Sequence, residues 1–596
     1  MDPKRPQHHA PRGPTHHDPG PVETYLTDVR RRQDRIRPAQ LPARPRYPLG
    51  EITLPAHVRH WARHHPRRPA VVFYGAETSY AELDDASDRL AGWLVDAGVR
   101  PGDRVGVHLP NCPQFLVAFL AVLRAGAVHV PVNPLFRAAE LRHELQDAAP
   151  ELVITLDTLA PLVEEVRPET SVRKVLVTSF ADVLPEQPLL PLPRSMTDGT
   201  GDADGAGRPG VPPSGWADAL AHAPLGQAAD DLDALAALNY TGGTTGLPKG
   251  CEHTQRHMVY TAAAVRAGSS LAEGEGMTVL CHLPVFWIAG ENLGILAPLV
   301  SGGTSVLLTR WDPSAALRAI ERYGVDVLTG TVENYQELLE HPEFGDHDLS
   351  SLTNPTVISF IRKLSPELRG RWREAVGGHS VLREASYGMT ETHTSDTFTL
   401  GFQDEDRDLL TDPVFCGLPV PGTDVMVTDF STGEPLPLGE HGEIVLRGPS
   451  LLRGYWRKPE ATAEALRDGW LRTGDIGMLD EDGCLHYLGR DKDMIKVNGM
   501  SVFPAEVEAL LDRHPDVVSA AVVAVPDSRS GQLPYAFVRT RPGAFLTSGH
   551  LREWARANMA VYKVPVVELV EEFPLTATGK IRKVELAERA AHACGA

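Results

Sequence analysis

The segment Leu238-Asn-Tyr-Thr-Gly-Gly-Thr-Thr-Gly-Leu-Pro-Lys-Gly250 gathers in one short stretch the groups that hold an anion. Gly242, Gly243 and Gly246 let backbone N–H groups approach a ligand closely, because no Cβ stands in the way. Thr241, Thr244 and Thr245 add hydroxyl donors, and Lys249 adds a positive charge. The chemistry this suits is phosphate binding. The Walker pattern is excluded, since it needs Gly-Lys-Ser/Thr opening a helix. By itself such a loop fits a tight turn as well as a phosphate site.

Four further segments follow in order: Tyr387-Gly388-Met-Thr390-Glu391, Arg472-Thr-Gly-Asp475, Gly489-Arg490-Asp-Lys492-Asp-Met-Ile-Lys-Val-Asn-Gly499 and Pro574-Leu-Thr-Ala-Thr-Gly-Lys580-Ile-Arg-Lys583. Together with the glycine-rich loop they resemble the adenylate-forming superfamily of acyl-CoA synthetases, peptide-synthetase adenylation domains and luciferases. The resemblance runs from about Ser79, where Ser79-Tyr-Ala-Glu-Leu-Asp84 also fits, to Lys583.

That resemblance implies a role for each matched residue. Thr241 to Gly246 and Lys249 wrap the β- and γ-phosphates of ATP, with Thr244 and Lys249 acting in the chemical step. Glu391, with Thr241 nearby, holds Mg²⁺ on the phosphates; one carboxylate plus substrate oxygens is ordinary for this ion. Tyr387, beside Gly388, stacks on adenine, and Thr390 bonds the α-phosphate. Asp475 accepts from the ribose hydroxyls, and Arg490 reaches ribose or phosphate. Lys492 takes the hinge position, which absorbs large φ/ψ changes as a small domain swings. Lys580 enters on a glycine-flanked loop and stabilises the charge that builds as an acid oxygen attacks phosphorus. After rotation the region of Gly499 faces the second substrate.

Two places depart from the family pattern. In Leu283-Pro-Val-Phe-Trp-Ile-Ala-Gly290, Trp287 stands where a histidine is usual, beside the acid's carboxylate. A bulkier wall there implies a small acid, unless the ring is turned away. In Ser359-Phe-Ile-Arg-Lys-Leu-Ser365, Phe360 adds bulk, and Arg362 and Lys363 add charge, where relatives have small Gly and Ala residues. Two cations cannot be buried cheaply without partners, so they face solvent or meet an anion. The anions that qualify are a dicarboxylate, a carnitine-like zwitterion, a polar aromatic acid and a small inorganic acid.

The elements that must position these residues follow from pattern. At 596 residues the chain needs at least two domains. Helical spacing in Ala81 to Ala97 and Gln114 to Arg124 alternates with short apolar strands at Ala70 to Tyr74, Arg104 to Leu109 and Val128 to Val132. That alternation predicts an α/β domain with a mainly parallel sheet over 51–488, interrupted by a Gly/Asp/Pro loop near 195–215. Within that loop, Gly199 to Gly205 imitates a dinucleotide fingerprint but has Asp204 at the third glycine and no leading strand, so it is rejected. From about Gly489 onward, helices at Ala505 to Leu511 and Gly549 to Asn558 mix with strands, predicting a small mobile α+β domain over 489–596 with its hinge at Lys492. Residues 1–50 are rich in Pro, His and Arg and are expected to be a disordered tail.

Composition narrows the function. A formal charge of −20 disfavours a nucleic-acid partner. Six scattered cysteines form no CxxC pair, which argues against a zinc ribbon and for a reducing, cytoplasmic setting. No apolar run reaches the length of a membrane span. The leading expectation is an AMP-forming acid–CoA ligase that uses ATP, Mg²⁺ and CoA. A second is an ATP-dependent diazotase that adenylates nitrite and hands nitrogen to an aryl amine. A carrier-protein loading enzyme is a third, though no carrier domain is expected behind the small domain. A non-catalytic nucleotide-binding scaffold is the reading from another class, and it should have lost Lys580, Asp475 or Glu391.

Overall fold

A computed structural model describes residues 20–594, apart from 40, 198–214, 242–246, 270, 272, 273, 275, 360–362, 386, 394, 395, 412, 413, 499, 528 and 577–579. Two largely parallel sheets form the large domain, as the alternation of strand and helix predicts. One runs Arg383–Glu384, Asn354–Ile358, Val327–Thr331, Thr278–Cys281, Thr304–Leu307, Pro69–Phe73 and Ala76–Ser79, with only the last pair antiparallel. The other runs Lys174–Thr178, Leu152–Leu156, Arg104–His108, Val128–Pro131, Leu235–Tyr240 and Gly250–Thr254, again ending in an antiparallel hairpin.

Between the sheets lies Pro113–Arg124, a helix in which every residue is buried. Its sequence is apolar on all sides, which is what a helix enclosed by two sheets requires. Arg124, at its end, is neutralised by Asp84 and bonds Ser87 Oγ at 3.1 Å. The neighbouring helix Tyr80–Asp96 starts on a capping box, Ser79 with Glu82, and its buried face carries Leu83, Leu90 and Leu94.

A third sheet, antiparallel, is built from Thr397–Phe398, Val414–Pro419, Leu485–Arg490, Trp470–Leu479, Gly442–Arg447 and Asp424–Thr428. A single 3-10 turn, Asp491–Asp493, separates its strand Leu485–Arg490 from Ile495–Val497, the first strand of the C-terminal sheet. That last sheet pairs Val517–Asp527 with Gly531–Thr540 over their whole length and packs helices on both faces.

The tail expectation fails over part of its length. Pro21–Ile36 is an α-helix, with Leu26, Val29 and Gln33 buried. Arg30 makes two 2.8 Å bonds to the carboxylate of Asp424, and Gln33 Nε2 donates to Gly483 O at 2.9 Å. Two of the basic residues that suggested a solvated tail, Arg30 and Arg32, are thus partnered by the third sheet and its 480–484 turn. The histidine pairs at 8–9 and 16–17, and the rejected fingerprint at 199–205, lie outside the described residues.

Candidate active site

The glycine-rich segment joins two antiparallel strands, Leu235–Tyr240 and Gly250–Thr254, with Tyr240 facing Gly250. A strand–loop–strand hairpin is not the strand–loop–helix of a Walker site. Its ends are pinned: Thr241 N donates to Lys249 O at 3.0 Å, and Lys249 N donates to Thr241 Oγ1 at 3.1 Å. Gly242, Gly243, Thr244, Thr245 and Gly246 lie outside the described residues. The Lys249 ammonium rests 4.0 Å above the Tyr455 ring, and the Tyr455 hydroxyl donates to Glu391 Oε1 at 2.9 Å.

Asp475 reaches the cleft through a bulge. The strand Trp470–Leu479 pairs Arg472 with Val445 and Ile476 with Glu443, leaving extra residues at 473–475. Gly474 takes φ +67° there, with nothing near where a Cβ would stand, so the glycine serves the backbone and not the packing. The bulge is fixed by Thr473 Oγ1 donating to Ile444 O at 2.7 Å and accepting from Asp475 N at 3.0 Å. Asp475 is 2% exposed. Its Oδ2 accepts from the Tyr387 hydroxyl at 2.6 Å, and Arg490 Nε lies 2.7 Å from Oδ1. That second contact is an ion pair without hydrogen-bond alignment, so buried Oδ1 receives no directed donor among the described residues. Burial pushes the carboxyl up, while Arg490 and Tyr387 hold it down. A buried oxygen lacking a donor suits a pair of ligand hydroxyls.

Lys580 comes from the C-terminal domain on a closed loop. Lys580 N donates to Thr576 Oγ1 at 3.1 Å and Thr576 N to Lys580 O at 2.7 Å, beside an isolated bridge between Leu575 and Ile581. The residue keeps an exposed surface, yet the protein around its ammonium lowers its pKa. Desolvation is the main cause and the Arg490 charge adds to it, with Asp475 and Glu391 opposing. The ammonium lies 5.8 Å from the Trp287 ring. Lys492, exposed in the 3-10 turn, is likewise lowered by desolvation and then by Arg490, and feels Asp475 and Lys249. Lys249, Glu391, Asp475, Arg490, Lys492 and Lys580 therefore share one cleft.

On the acid side, Trp287 N donates to Pro284 O at 3.0 Å, turning the chain into the helix Ile288–Glu291. A Cβ on Gly290 would lie 2.1 Å from Pro284 O, so this turn admits only glycine. Trp287 is partly exposed. Behind it, Glu291 accepts from Asn239 Nδ2 at 3.3 Å and lies 3.8 Å from His129 Nε2, tying the phosphate-loop strand to the Trp287 helix. Burial pushes Glu291 up to about 8 and His129 down to about 3, so this contact joins two neutral groups near pH 6.

Of the remaining candidates, Gly388 is exposed and Thr390 partly buried, its carbonyl accepting from His253 Nε2 at 2.9 Å. Lys363 is exposed, with Nζ 3.4 Å from Ser359 O, and its charge lies near the half-buried Glu384. That is the solvent-facing alternative for Lys363. Phe360, Arg362 and Gly499 lie outside the described residues. Tyr455 is the cleft residue that motif matching passed over.

Comparison with known proteins agrees with this geometry. The AMP-binding enzyme family matches residues 58–456, and the AMP-binding enzyme C-terminal domain matches 506–580. A long-chain-fatty-acid–CoA ligase of Bacillus subtilis (strain 168) is 34% identical over 546 residues, covering 91% of this chain and 95% of its own. A feruloyl-CoA synthase of an Amycolatopsis species is 35% identical over 530 residues, covering 89% and 97%. The solved structure of the amide bond synthetase McbA from Marinactinospora thermotolerans superposes with a TM-score of 0.74 at 30% identity, covering 90% of this chain and 99% of that one. The pinned phosphate hairpin, the bulge-borne Asp475 and the loop-borne Lys580 are thus features of a chain that belongs to the AMP-binding enzyme family, the AMP-forming ligases.

Proposed function

We propose that the chain joins a carboxylic acid to the AMP portion of ATP, releases pyrophosphate, and passes the acyl group to the thiol of CoA. The observation that carries this is convergence: Lys580 from the small domain stands with Asp475, Glu391 and Lys249 of the large one, beside Trp287. A nucleotide-binding scaffold has no use for a lysine delivered on a separate loop.

In the first step a carboxylate oxygen of the acid attacks the α-phosphorus, the bond from that phosphorus to the bridging oxygen breaks, and pyrophosphate leaves. Asp475 holds the ribose through its undonated Oδ1. Thr241 and Lys249 hold the outer phosphates, and Lys580 stabilises charge on the α-phosphate oxygens as the transition state forms. Glu391 suits magnesium because, among the described residues, only Oε1 is engaged and Oε2 accepts nothing. When bound, that ion would neutralise charge on the phosphates. In the second step the small domain turns about Lys492, withdrawing Lys580 and bringing the Gly499 region to the acyl-AMP. The thiolate sulfur of CoA then attacks the acyl carbon, and AMP departs.

CoA as acceptor is supported by the names of the fatty-acid and feruloyl relatives. A nitrogen acceptor is the second reading, favoured by the likeness to an amide bond synthetase and by Trp287, Phe360 and Arg362, which depart from the pattern of the superfamily that the motifs resemble. In that version nitrite is the acid and an aryl amine the acceptor. Pyrophosphate and AMP release across fatty, aromatic and dicarboxylic acids and nitrite, each with CoA or an aryl amine, separates the two. CoA-dependent AMP release with a carboxylic acid is the expected result. AMP release from nitrite and amine without CoA would replace the first reading with the second.

A further inference from the structure

We propose that Tyr455 is a positioning residue, which holds Glu391 and Lys249 apart and aimed, so that both charges remain available to a metal-bound triphosphate. The inference rests on the adenylating reading and adds to it a residue that no motif supplied.

The segment bearing Tyr455 is fixed by backbone bonding. Arg453 N donates to Glu252 O at 3.0 Å, Glu252 N to Gly454 O at 3.0 Å, and Trp456 N to Gly250 O at 2.8 Å. These bonds lay 453–456 alongside the second strand of the phosphate hairpin, with Tyr455 opposite Cys251. Leu452 N donates to Glu391 O at 2.8 Å, Tyr455 N to Thr462 Oγ1 at 2.9 Å, and the Trp456 indole to Asp147 O at 3.1 Å. The Tyr455 ring is therefore held from both sides, and the residue is 6% exposed.

What the ring does follows from its two charged neighbours. Lys249 and Glu391 both touch Tyr455, yet they form no ion pair with each other among the described residues. Opposite charges this close would otherwise pair directly, and a ligand would first have to break that pair. The ring face offers Lys249 a weak seat that phosphate easily outcompetes. The hydroxyl fixes Glu391 Oε1 and leaves Oε2 free.

Two substitutions separate positioning from packing. Tyr455→Phe keeps the ring and the Lys249 seat but removes the hydroxyl. Tyr455→Leu removes both. Binding of ATP is measured by titration calorimetry with and without Mg²⁺, alongside the thermal midpoint. Loss of a hydrogen bond to a charged group predicts roughly tenfold weaker binding of Mg-ATP to Tyr455→Phe. Metal-free ATP should lose much less affinity for that variant, because the ring that seats Lys249 is kept, and the midpoint should show that the variant is folded. Tyr455→Leu should weaken both forms of ATP. Equal weakening of both forms in Tyr455→Phe, or wild-type affinity for Mg-ATP, overturns the proposal. A wild-type protein that binds Mg-ATP but releases no pyrophosphate with any acid would instead count against the adenylating reading alone.

Discussion

On the adenylating reading, replacing Lys580 with alanine removes a cation that the small domain brings to the α-phosphate. Its backbone is held by the Thr576 bonds, and desolvation by the surrounding protein lowers the pKa of its ammonium. The loss can be sized. A unit charge about 4 Å from an anionic oxygen, at an effective dielectric constant of about 20, is worth about 4 kcal/mol. Removing a single preorganised donor elsewhere costs roughly 2.7–4 kcal/mol. The first half-reaction, read as acid-dependent pyrophosphate release, should therefore slow by about a hundred- to a thousandfold. Supplying the preformed acyl-AMP should restore most of the transfer to the acceptor, because Lys580 leaves the site before that step. The pH profile adds a second readout. Desolvation and Arg490 lower the Lys580 pKa below the ordinary lysine value, and the charged form is the active one. kcat/KM for the first half-reaction should then fall on the alkaline side before ordinary lysine titration begins, and Lys580→Arg should remove that limb. Equal slowing of both half-reactions in Lys580→Ala would refute the assignment and make Lys580 structural.

Other perturbations test the hinge and the buried charges. Lys492→Pro fixes φ in the turn Asp491–Asp493 and should leave adenylate formation intact while transfer collapses, as single-turnover assays of each step would show. Unchanged overall turnover would mean that the rotation does not pass through this turn. Glu291→Gln should flatten the pH dependence of the thermal midpoint. With its folded pKa raised from 4.5 to about 8, Glu291 binds more proton folded than unfolded, so its contribution falls as pH rises through that window. The full difference is at most about 4–5 kcal/mol above pH 8. Glu144 is raised in the same direction, so only the wild type-minus-variant curve isolates Glu291.

Why some features were legible and others were not has a physical basis. The phosphate loop, the Thr-Gly-Asp turn and the lysine loop each work through a few adjacent residues, so their spacing survives in the linear sequence. The helix Pro113–Arg124 was legible because a helix enclosed by two sheets must be apolar all round. The helix Pro21–Ile36 was hidden, because it buries only Leu26, Val29 and Gln33 and depends on Asp424, 394 positions away. The antiparallel sheet between 397 and 490 was mostly missed because two pairings that hold it together, Val414–Pro419 with Leu485–Arg490 and Gly442–Arg447 with Trp470–Leu479, join strands that are not consecutive in the chain. Tyr455 could not be found locally, since Glu391 is 64 positions off and a tyrosine after glycine carries no signal alone. Lys363 shows the converse. Its charge was legible, but its exposure depends on how the segment lies over Glu384.

The arrangement of charges also gives the small domain a reason to move. Arg490 lowers the pKa of Lys580, and Arg490 and Lys249 lower that of Lys492, so these cations repel one another across the cleft. Asp475 and Glu391 oppose that repulsion. On the adenylating reading, a bound triphosphate supplies the missing negative charge and draws Lys580 in towards Lys249. Breaking the α–β bond and losing pyrophosphate removes most of that charge. The cations from the two domains then face each other over the single phosphate of the acyl-AMP, and the orientation that favoured the first reaction becomes the strained one. Product release thereby favours the rotation that the second reaction needs, with no contribution required from the acceptor. The lowered pKa values of Lys492 and Lys580 come first from desolvation, and the neighbouring cations add to it. Both should rise when Mg-ATP binds and fall again when pyrophosphate leaves, because opposite charge nearby stabilises an ammonium.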